Sequence, residues 1–285
     1  MYQAGLVLEG GGMKGIYTAG VLDFFMEKGL YFSSVYGVSA GAVHLCSYLS
    51  GQIGRSRDVS VEFLNSKRYC SFRSLLLTGD LFNVDICYHT IPEYLFPLDH
   101  ETFRKYTGKA FSVVTNIKTG CAEYLRIRDL RKDISKVRAS ASLPLVSRNV
   151  RIGKGLYLDG GIADSIPIRK SILDGNRKNV VVLTKEEGYV RKPASQLEMA
   201  LIKLRYLKYP KVYELMRARD RNYNETIDYL YRQQENGQAY IIRPKYPSSV
   251  GRIERNRERM LELYEQGYRE AAEHYDDLMT YLGKE

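Results

Sequence analysis

The sequence has few of the residues from which metal centres, disulfide frameworks and histidine-based triads are built. Four cysteines and four histidines occur among its 285 residues. Cys46, Cys70, Cys87 and Cys121 are too dispersed for a zinc pattern and too few for a disulfide framework. We therefore expect reduced thiols, a cytoplasmic protein, and neither a metal nor a cofactor.

Long apolar runs are absent as well. No segment approaches the roughly 18 consecutive uncharged apolar residues of a membrane-spanning helix, so we expect no transmembrane segment. The N-terminus enters an apolar strand without the basic segment, apolar stretch and cleavage site of a signal peptide, which argues against export. With 44% hydrophobic residues, the chain has the composition of a globular protein with a large core.

The first of two glycine-rich turns follows the short apolar strand Leu6–Leu8 and reads Gly10-Gly11-Gly12-Met13-Lys14-Gly15. Successive glycines let backbone N–H groups approach a ligand, as an oxyanion hole requires, and Gly11 and Gly12 are the candidate donors. Lys14 either adds positive charge there or is solvated. A dinucleotide site is the alternative, because the spacing also fits G-x-G-x-x-G. That site expects an acidic residue at the end of the next strand, where this chain has another turn.

The second turn, Gly37-Val38-Ser39-Ala40-Gly41, lies between a predicted strand and a predicted helix. At such a reversal the Ser39 hydroxyl is lifted above the sheet edge, and Gly37 and Gly41 avoid collisions between strand and helix. The start of the helix also favours negative charge at the reacting atoms. Ser39 is therefore the candidate nucleophile of a serine hydrolase. The alternative is an ordinary turn with a serine helix cap.

A base for this serine is harder to find among the histidines. His44 lies five residues after Ser39 on the same helix, a position that favours packing over catalysis. Asp159 ends an apolar strand and is followed by Gly160 and Gly161. It would project from the same sheet edge as Ser39 if both strands run parallel. The alternative for these three residues is a hairpin turn.

Taken in order, the three motifs resemble the signature motifs of the patatin-like phospholipases. The resemblance covers most of residues 5–185, including the run Ala139-Ser140-Ala141-Ser142-Leu143-Pro144, and extends more weakly to Glu235–Gly237 and Ile241–Pro244. It implies a Ser39–Asp159 dyad without histidine, oxyanion donors at Gly11 and Gly12, and hydrolysis of acyl esters in lipids. The remaining motif residues are Gly10, Lys14, Gly15, Gly37, Gly41, Gly160 and Gly161.

Two other functions fit parts of the same pattern. Ser39, Asp159 and His274 occur in the chain order of an α/β-hydrolase triad, although the serine turn would then come unusually early. His274 also lies inside a predicted amphipathic helix. The second alternative is an inactive lipid-binding regulatory protein that retains the motifs.

The order of apolar and helical segments predicts an α/β sandwich of three layers around a largely parallel sheet. Strands are predicted at Leu6–Leu8, Ser34–Val38, Phe111–Asn116, Leu156–Asp159, Val180–Thr184 and Tyr240–Arg243. We expect a catalytic domain over residues 5–185 and a mainly helical extension over 186–285, packed on the core. In that extension, helices over Ala194–Gln234 are interrupted at Tyr209-Pro210, and Arg252–Leu282 forms one long amphipathic helix.

Positive charge is concentrated in the predicted catalytic part. Residues 1–185 contain 25 Lys and Arg against 16 Asp and Glu. Nine basic residues fall within Arg126–Lys154: Arg126, Arg128, Arg131, Lys132, Lys136, Arg138, Arg148, Arg151 and Lys154. They predict either a solvated basic face or peripheral contact with an anionic membrane. No motif supports nucleic acid as the partner. The apolar segment Val61–Lys109 is the candidate acyl pocket or lid for a lipid or ester substrate.

Overall fold

A single mixed sheet organises the computed structural model, which describes residues 1–251 and 254–283. Its strands are β1 (Tyr2–Leu8), β2 (Phe32–Val38), β3 (Lys109–Asn116), β4 (Ala122–Ile127), β5 (Val150–Ile152), β6 (Gly155–Asp159), β7 (Asn179–Val182) and β8 (Ala239–Ile242). Their spatial order is β5-β6-β3-β2-β1-β7-β8, and β4 pairs with β3 beside this path. The five strands from β3 to β8 in this order are parallel to one another. β4 and β6 run antiparallel to β3.

Helices connect most of these strands. They are α1 (Ile16–Glu27), α2 (Ala40–Leu49), α3 (Arg55–Glu62), α4 (Phe72–Thr78), α5 (His100–Lys105), α6 (Leu130–Ser140), α7 (Ile168–Leu173), α8 (Gln196–Arg205), α9 (Pro210–Glu235), α10 (Arg257–Glu273) and α11 (Tyr275–Gly283). Short 3₁₀ turns occupy Gly12–Gly15 and Gly160–Ile162, and a π-helical segment spans Ile86–Leu95.

Alternation along the central strands builds the three predicted layers. In β1, Leu6 and Leu8 point into the core shared with α1, α2 and α10, whereas Val7 points into the core on the other face, under α9. Successive side chains of a strand face opposite sides of a sheet, so a strand covered on both faces is apolar throughout. The predicted fold class, a three-layer sandwich around a largely parallel sheet with helices at the C-terminus, is confirmed.

Two strands were not predicted from the sequence. β4 is half-exposed along most of its length and contains the charged residues Glu123 and Arg126, so it lacks the apolar run of a buried strand. β5 has only three residues. Both lie on the antiparallel side of the sheet, where strands need not be apolar on both faces.

The C-terminal part is built into the same structure. The predicted break at Tyr209-Pro210 is confirmed, because α9 begins at Pro210. The predicted single helix over Arg252–Leu282 is wrong: it divides at His274 into α10 and α11, and its residues Arg252 and Ile253 lie outside the described residues. β8 completes one edge of the sheet. The domain division after residue 185 stays a prediction.

Close contact between two helices fixes the tail on the core. A Cβ atom at Gly20 of α1 would lie 2.1 Å from the Tyr264 carbonyl oxygen of α10, and one at Gly267 would lie 2.1 Å from the Tyr17 carbonyl oxygen. The Tyr17 hydroxyl donates to Glu270 at 2.8 Å. The apolar face of α10 therefore packs on α1.

Candidate active site

The turn between β2 and α2 holds Ser39 in a strained backbone conformation. Its φ of 54° and ψ of −120° lie where non-glycine residues are rarely found. A Cβ at Gly37 would lie 2.6 Å from Ala42 Cα, and one at Gly41 would lie 2.6 Å from the Leu8 carbonyl oxygen. Both glycines are thus required sterically, as the sequence predicts for a sharp strand-to-helix turn.

A second serine secures this turn. The Ser39 amide donates to Ser140 Oγ at 2.8 Å, and Ser140 Oγ donates to the Val113 carbonyl at 2.6 Å. Ser140 ends α6, and Val113 belongs to β3. No separate role for Ser140 was predicted, because its two partners are distant in the chain.

The glycine-rich turn after β1 lies against the Ser39 turn. A Cβ at Gly10 would be 2.9 Å from Ser39 Cβ, and one at Gly11 would be 2.6 Å from Thr184 Oγ1. Gly12 has a φ of 56°, which favours glycine. Within the described residues, the amides of Gly11 and Gly12 donate no hydrogen bond, and both residues line a cavity shared with Ser39. These amides are therefore available to a ligand oxygen.

The rest of this motif packs the two turns together. A Cβ at Gly15 would lie 2.5 Å from Ala40 Cβ, so a larger residue would push the two helix starts apart. Lys14 points elsewhere, with its Nζ 3.3 Å from the Ser248 carbonyl oxygen. Lys14 accordingly ties the turn to the C-terminal segment.

A buried carboxylate, Glu9, directly precedes the glycine-rich turn and fixes its start. Glu9, at the end of β1, accepts hydrogen bonds from the Thr184 amide at 2.6 Å and the Thr184 hydroxyl at 3.0 Å. Its other oxygen accepts from the Tyr223 hydroxyl of α9 at 2.8 Å. Glu9 is fully buried, so each of these bonds is needed to offset the loss of water. The sequence did not identify this network, since its members are up to 214 residues apart.

Asp159 lies at the level of Ser39, although its strand runs the other way. The expectation that the strands of Ser39 and Asp159 run parallel is wrong, because β2 is parallel to β3 and β6 is antiparallel to it. The last residue of β2, Val38, pairs with Val113 of β3. β3 continues beyond this point, and its next residue, Val114, pairs with Asp159 at the end of β6. The register, rather than the strand direction, brings the end of β6 beside the end of β2.

The Asp159 carboxyl is buried and only partly hydrogen-bonded. Oδ1 accepts from the Gly161 amide at 2.7 Å. Oδ2 has no well-aligned hydrogen-bond partner in the described part of the chain. The Ser39 hydroxyl is nevertheless near enough to lower the pKa of the carboxyl. Burial raises the pKa of Asp159, whereas the Ser39 hydroxyl and the Arg219 charge oppose that rise. A Cβ at Gly160 would lie 2.2 Å from the Val113 carbonyl oxygen, which leaves room for glycine alone.

Two histidines are relevant to the choice of base. His44 lines a cavity beside Ser39, burial lowers its pKa to about 4, and its Nδ1 has no partner among residues 1–251 and 254–283. His274 lies beneath β8, with its Nδ1 2.8 Å from the Tyr240 hydroxyl. β8 is three strands from β2, and His274 lines neither cavity next to Ser39. No carboxylate in the described part of the chain orients either imidazole toward Ser39, as a triad requires.

Ser39 opens into two cavities of different character. The first, of about 200 Å³, is mainly apolar. Its wall includes seven residues of the predicted acyl-pocket segment Val61–Lys109: Tyr69, Asp80, Phe82, Val84, Cys87, Tyr88 and Ile91. The second, of about 360 Å³, contains Asp159 and the glycine-rich turn.

Cations line the second cavity. Lys185, Arg191 and Arg219 face it together with one further carboxylate, Glu198. Burial lowers the pKa of Lys185 to about 8, and the nearby charges of Lys14 and Arg191 act in the same direction. The Arg191 guanidinium stacks on the Tyr223 ring at 4.3 Å, and its Nε is buried without a hydrogen-bond partner in the described part. Partly dehydrated cations of this kind favour an anionic ligand.

The predicted basic segment Arg126–Lys154 is divided between surface and interior. Seven of its nine basic side chains are exposed, whereas Lys136 pairs with Asp133 at 2.7 Å. Arg138 turns inward to the apolar cavity, 3.7 Å from Asp80. No group of metal-binding side chains, and no helix long and apolar enough to cross a bilayer, occurs over residues 1–251 and 254–283.

Comparison with family models gives two matches. A model described as patatin-like phospholipase matches residues 6–171. A second, described as a domain of unknown function, DUF6363, matches residues 209–283. The motif residues around Ser39 and Asp159 lie in the first match, and α9, which carries Tyr223 and Arg219, lies in the second.

Several known proteins are similar to parts of the chain. The uncharacterized protein YjjU of Escherichia coli is 31% identical over 183 residues, which are 63% of this chain and 51% of that protein. The probable lipid hydrolase 463L of Invertebrate iridescent virus 6 is 26% identical over 195 residues, 62% of this chain and 66% of that protein. The chain thus spans half to two thirds of these relatives. VipD from Legionella pneumophila matches in structure with a TM-score of 0.47 and 16% identity, covering 97% of this chain and 67% of VipD.

Proposed function

Since the chain belongs to the patatin-like phospholipase family, we propose that it is a serine acyl hydrolase of lipids, with Ser39 as nucleophile and Asp159 as base. The observation that carries this proposal is the convergence of three elements on one cavity: a strained serine, a buried carboxylate and two amides that have no partner among the described residues. The lipid hydrolase named among its relatives supports the same class of activity.

The proposed reaction is a double displacement. Ser39 Oγ attacks the ester carbonyl carbon while its proton moves to Asp159, and the Gly11 and Gly12 amides stabilise the charge on the carbonyl oxygen. The C–O bond to the alcohol then breaks, and the alcohol leaves with the proton from Asp159. Water attacks the acyl-enzyme, gives its proton to Asp159, and releases the fatty acid as Ser39 regains a proton.

The raised pKa of Asp159 suits this role. A carboxylate of ordinary pKa is a weak base at neutral pH, and burial brings it closer to the working pH. The structure favours Asp159 over the triad with His274, because His274 lies three strands from the strand that carries Ser39. We therefore prefer the dyad to the α/β-hydrolase alternative.

The two cavities suggest how a lipid would be divided at Ser39. We assign the acyl chain to the apolar cavity and the alcohol part to the second one. The cations Lys185, Arg191 and Arg219 favour an alcohol that carries phosphate. If so, Lys185→Met should lose about tenfold more kcat/KM on a phospholipid than on a diacylglycerol with the same acyl chains. Equal losses on both lipids would remove the phosphate from the proposal.

A lipid panel assayed with wild-type protein and Ser39→Ala tests the function itself. Wild type should release fatty acid from at least one lipid class, and Ser39→Ala and Asp159→Asn should lower that rate by at least about 1,000-fold. His274→Ala is the matched control and should retain activity. A folded wild type without activity on any lipid would instead support an inactive lipid-binding protein. The cytoplasmic location and a membrane contact through Arg126–Lys154 remain predictions.

A further inference from the structure

Two short helices present leucines to the solvent instead of to the core. On α4, the exposed fractions of Leu76 and Leu77 are 86% and 70%, whereas Ser74 is turned inward. On α8, Leu197 and Leu204 are 71% and 69% exposed. Helices on the surface of a soluble protein normally turn their apolar face to the core, so exposed leucines on two of them are unusual. Contiguous apolar exposure of this kind marks an interaction surface.

The exposed side chains of α8 form one stripe. Leu197, Leu201 and Leu204 follow the spacing of a single helix face, and Ile202 anchors the opposite face in the core. Leu207 continues the exposed set just beyond the helix. The leucines are therefore exposed although α8 is anchored in the core through Ile202.

Both helices lie next to the cavity of the proposed site. Glu198 of α8 lines the cavity that contains Ser39 and Asp159. Leu81 and Phe82, which follow α4 within four residues, line the same cavity. The two apolar surfaces thus lie beside the cavity that contains Ser39 and Asp159.

The charges beside these leucines are positive. Lys67, Arg68 and Arg73 are exposed around α4, and Lys203, Arg205 and Lys208 are exposed around α8. α4 contains no acidic residue, and the single acidic residue of α8, Glu198, faces the cavity. Leucines flanked by lysine and arginine match the interface of an anionic bilayer. Phe72, also on α4, is 71% exposed, and phenylalanine is likewise typical of the apolar face of a helix in a membrane interface.

We propose that α4 and α8 form a lipid-docking surface that holds the cavity entrance against an anionic bilayer. The leucines enter the acyl boundary, the cations pair with headgroup phosphates, and a lipid reaches Ser39 without crossing water. Arg148, an exposed residue of Arg126–Lys154, lies against Gly79 at the end of α4, so this surface adjoins one end of that segment. The surface concerns binding rather than catalysis, so it can be tested on a protein that does not turn over.

The test measures vesicle binding with Ser39→Ala protein, at low salt, on phosphatidylcholine vesicles with and without phosphatidylglycerol. The paired changes Leu197→Asn with Leu204→Asn, and Leu76→Asn with Leu77→Asn, should each weaken binding to the anionic vesicles at least about tenfold. Leu173→Asn is the matched control, because Leu173 is 83% exposed on α7. It begins from the same Ser39→Ala protein and should change binding less than about twofold.

Three outcomes would overturn the proposal. The first is equal binding by the paired variants and the Leu173→Asn control. The second is a loss of binding on changing Arg128 and Arg131 to Gln, with none in the leucine variants, which would place the contact on the basic segment. The third is a change of oligomeric state in the leucine variants with unchanged vesicle binding, which would make the surface a contact between copies of the chain. Circular dichroism and melting temperature establish that each variant is folded.

Discussion

Replacing Gly11 by alanine tests whether the glycine-rich turn positions oxyanion donors. The backbone of Gly11 has a φ of −156°, so the expected cost is contact rather than left-handed strain. The new Cβ would lie 2.6 Å from Thr184 Oγ1 and 2.9 Å from Thr184 Cβ and Cγ2. Thr184 cannot retreat easily, because its amide and hydroxyl are both held by Glu9. The turn must move, and with it the Gly11 amide.

Loss of one oxyanion donor typically costs about 100- to 1,000-fold in kcat, or roughly 3–4 kcal/mol in the transition state. We expect Gly11→Ala to fall in this range on a soluble p-nitrophenyl ester, with melting temperature close to wild type. Thr184→Ala removes two of the three colliding atoms and one hydrogen bond to Glu9 while the amide bond to Glu9 remains. Alone it should therefore cost only a few-fold in kcat.

The double variant Gly11→Ala with Thr184→Ala tests whether contact with Thr184 displaces the turn. If contact with Thr184 displaces the turn, Gly11→Ala with Thr184→Ala should recover at least about tenfold of the kcat lost in Gly11→Ala, a coupling of roughly 1.4 kcal/mol or more. Recovery should be partial, because Thr184 Cβ remains. Strictly additive effects, or a Gly11→Ala protein with wild-type kcat, would refute this account of the turn.

Three further predictions concern charge and packing. Burial raises the pKa of Asp159, so kcat/KM should begin to fall on acidification at a pH above the pKa of an ordinary carboxyl. Arg219→Gln should move this acid limb to still higher pH, because it removes a charge that opposes the rise. An acid limb that does not move in Arg219→Gln would contradict this. Gly267→Ala should lower the free energy of unfolding in urea by about 1–3 kcal/mol or more, since its Cβ would lie 2.1 Å from the Tyr17 carbonyl oxygen. Burial raises the pKa of Asp23 to about 6. The folded state therefore holds that proton more tightly, and stability should fall by up to about 3 kcal/mol as pH rises from about 4 through 6; Asp23→Asn should abolish this fall.

Local sterics explain why the two turns of the candidate site could be predicted from the sequence. The glycines around Ser39 are required within a few residues of the chain, so the pattern Gly37 to Gly41 is sufficient to predict the turn. The same holds for the glycine-rich turn after β1. The alternation of apolar and helical segments along the chain likewise predicted the layers around the sheet.

Features set by register and by distant segments could not be predicted in this way. Asp159 was predicted as the candidate partner of Ser39 for a wrong reason, since its antiparallel strand reaches the site through the overhang of β3. Glu9 gave no sequence signal, because its partner Tyr223 lies 214 residues away. The cations of the second cavity could not be predicted either, because they come from distant segments of the chain; Arg219, for example, lies on α9.

Labelling with a fluorophosphonate probe tests the central claim most directly, because the probe reacts only with an activated serine. We predict that mass spectrometry will find the label on Ser39 alone, and that the labelling rate will fall at least about 100-fold in Asp159→Asn and little in His274→Ala. Folded wild-type protein that is not labelled at Ser39, or a labelling rate that depends on His274 rather than on Asp159, would contradict the account.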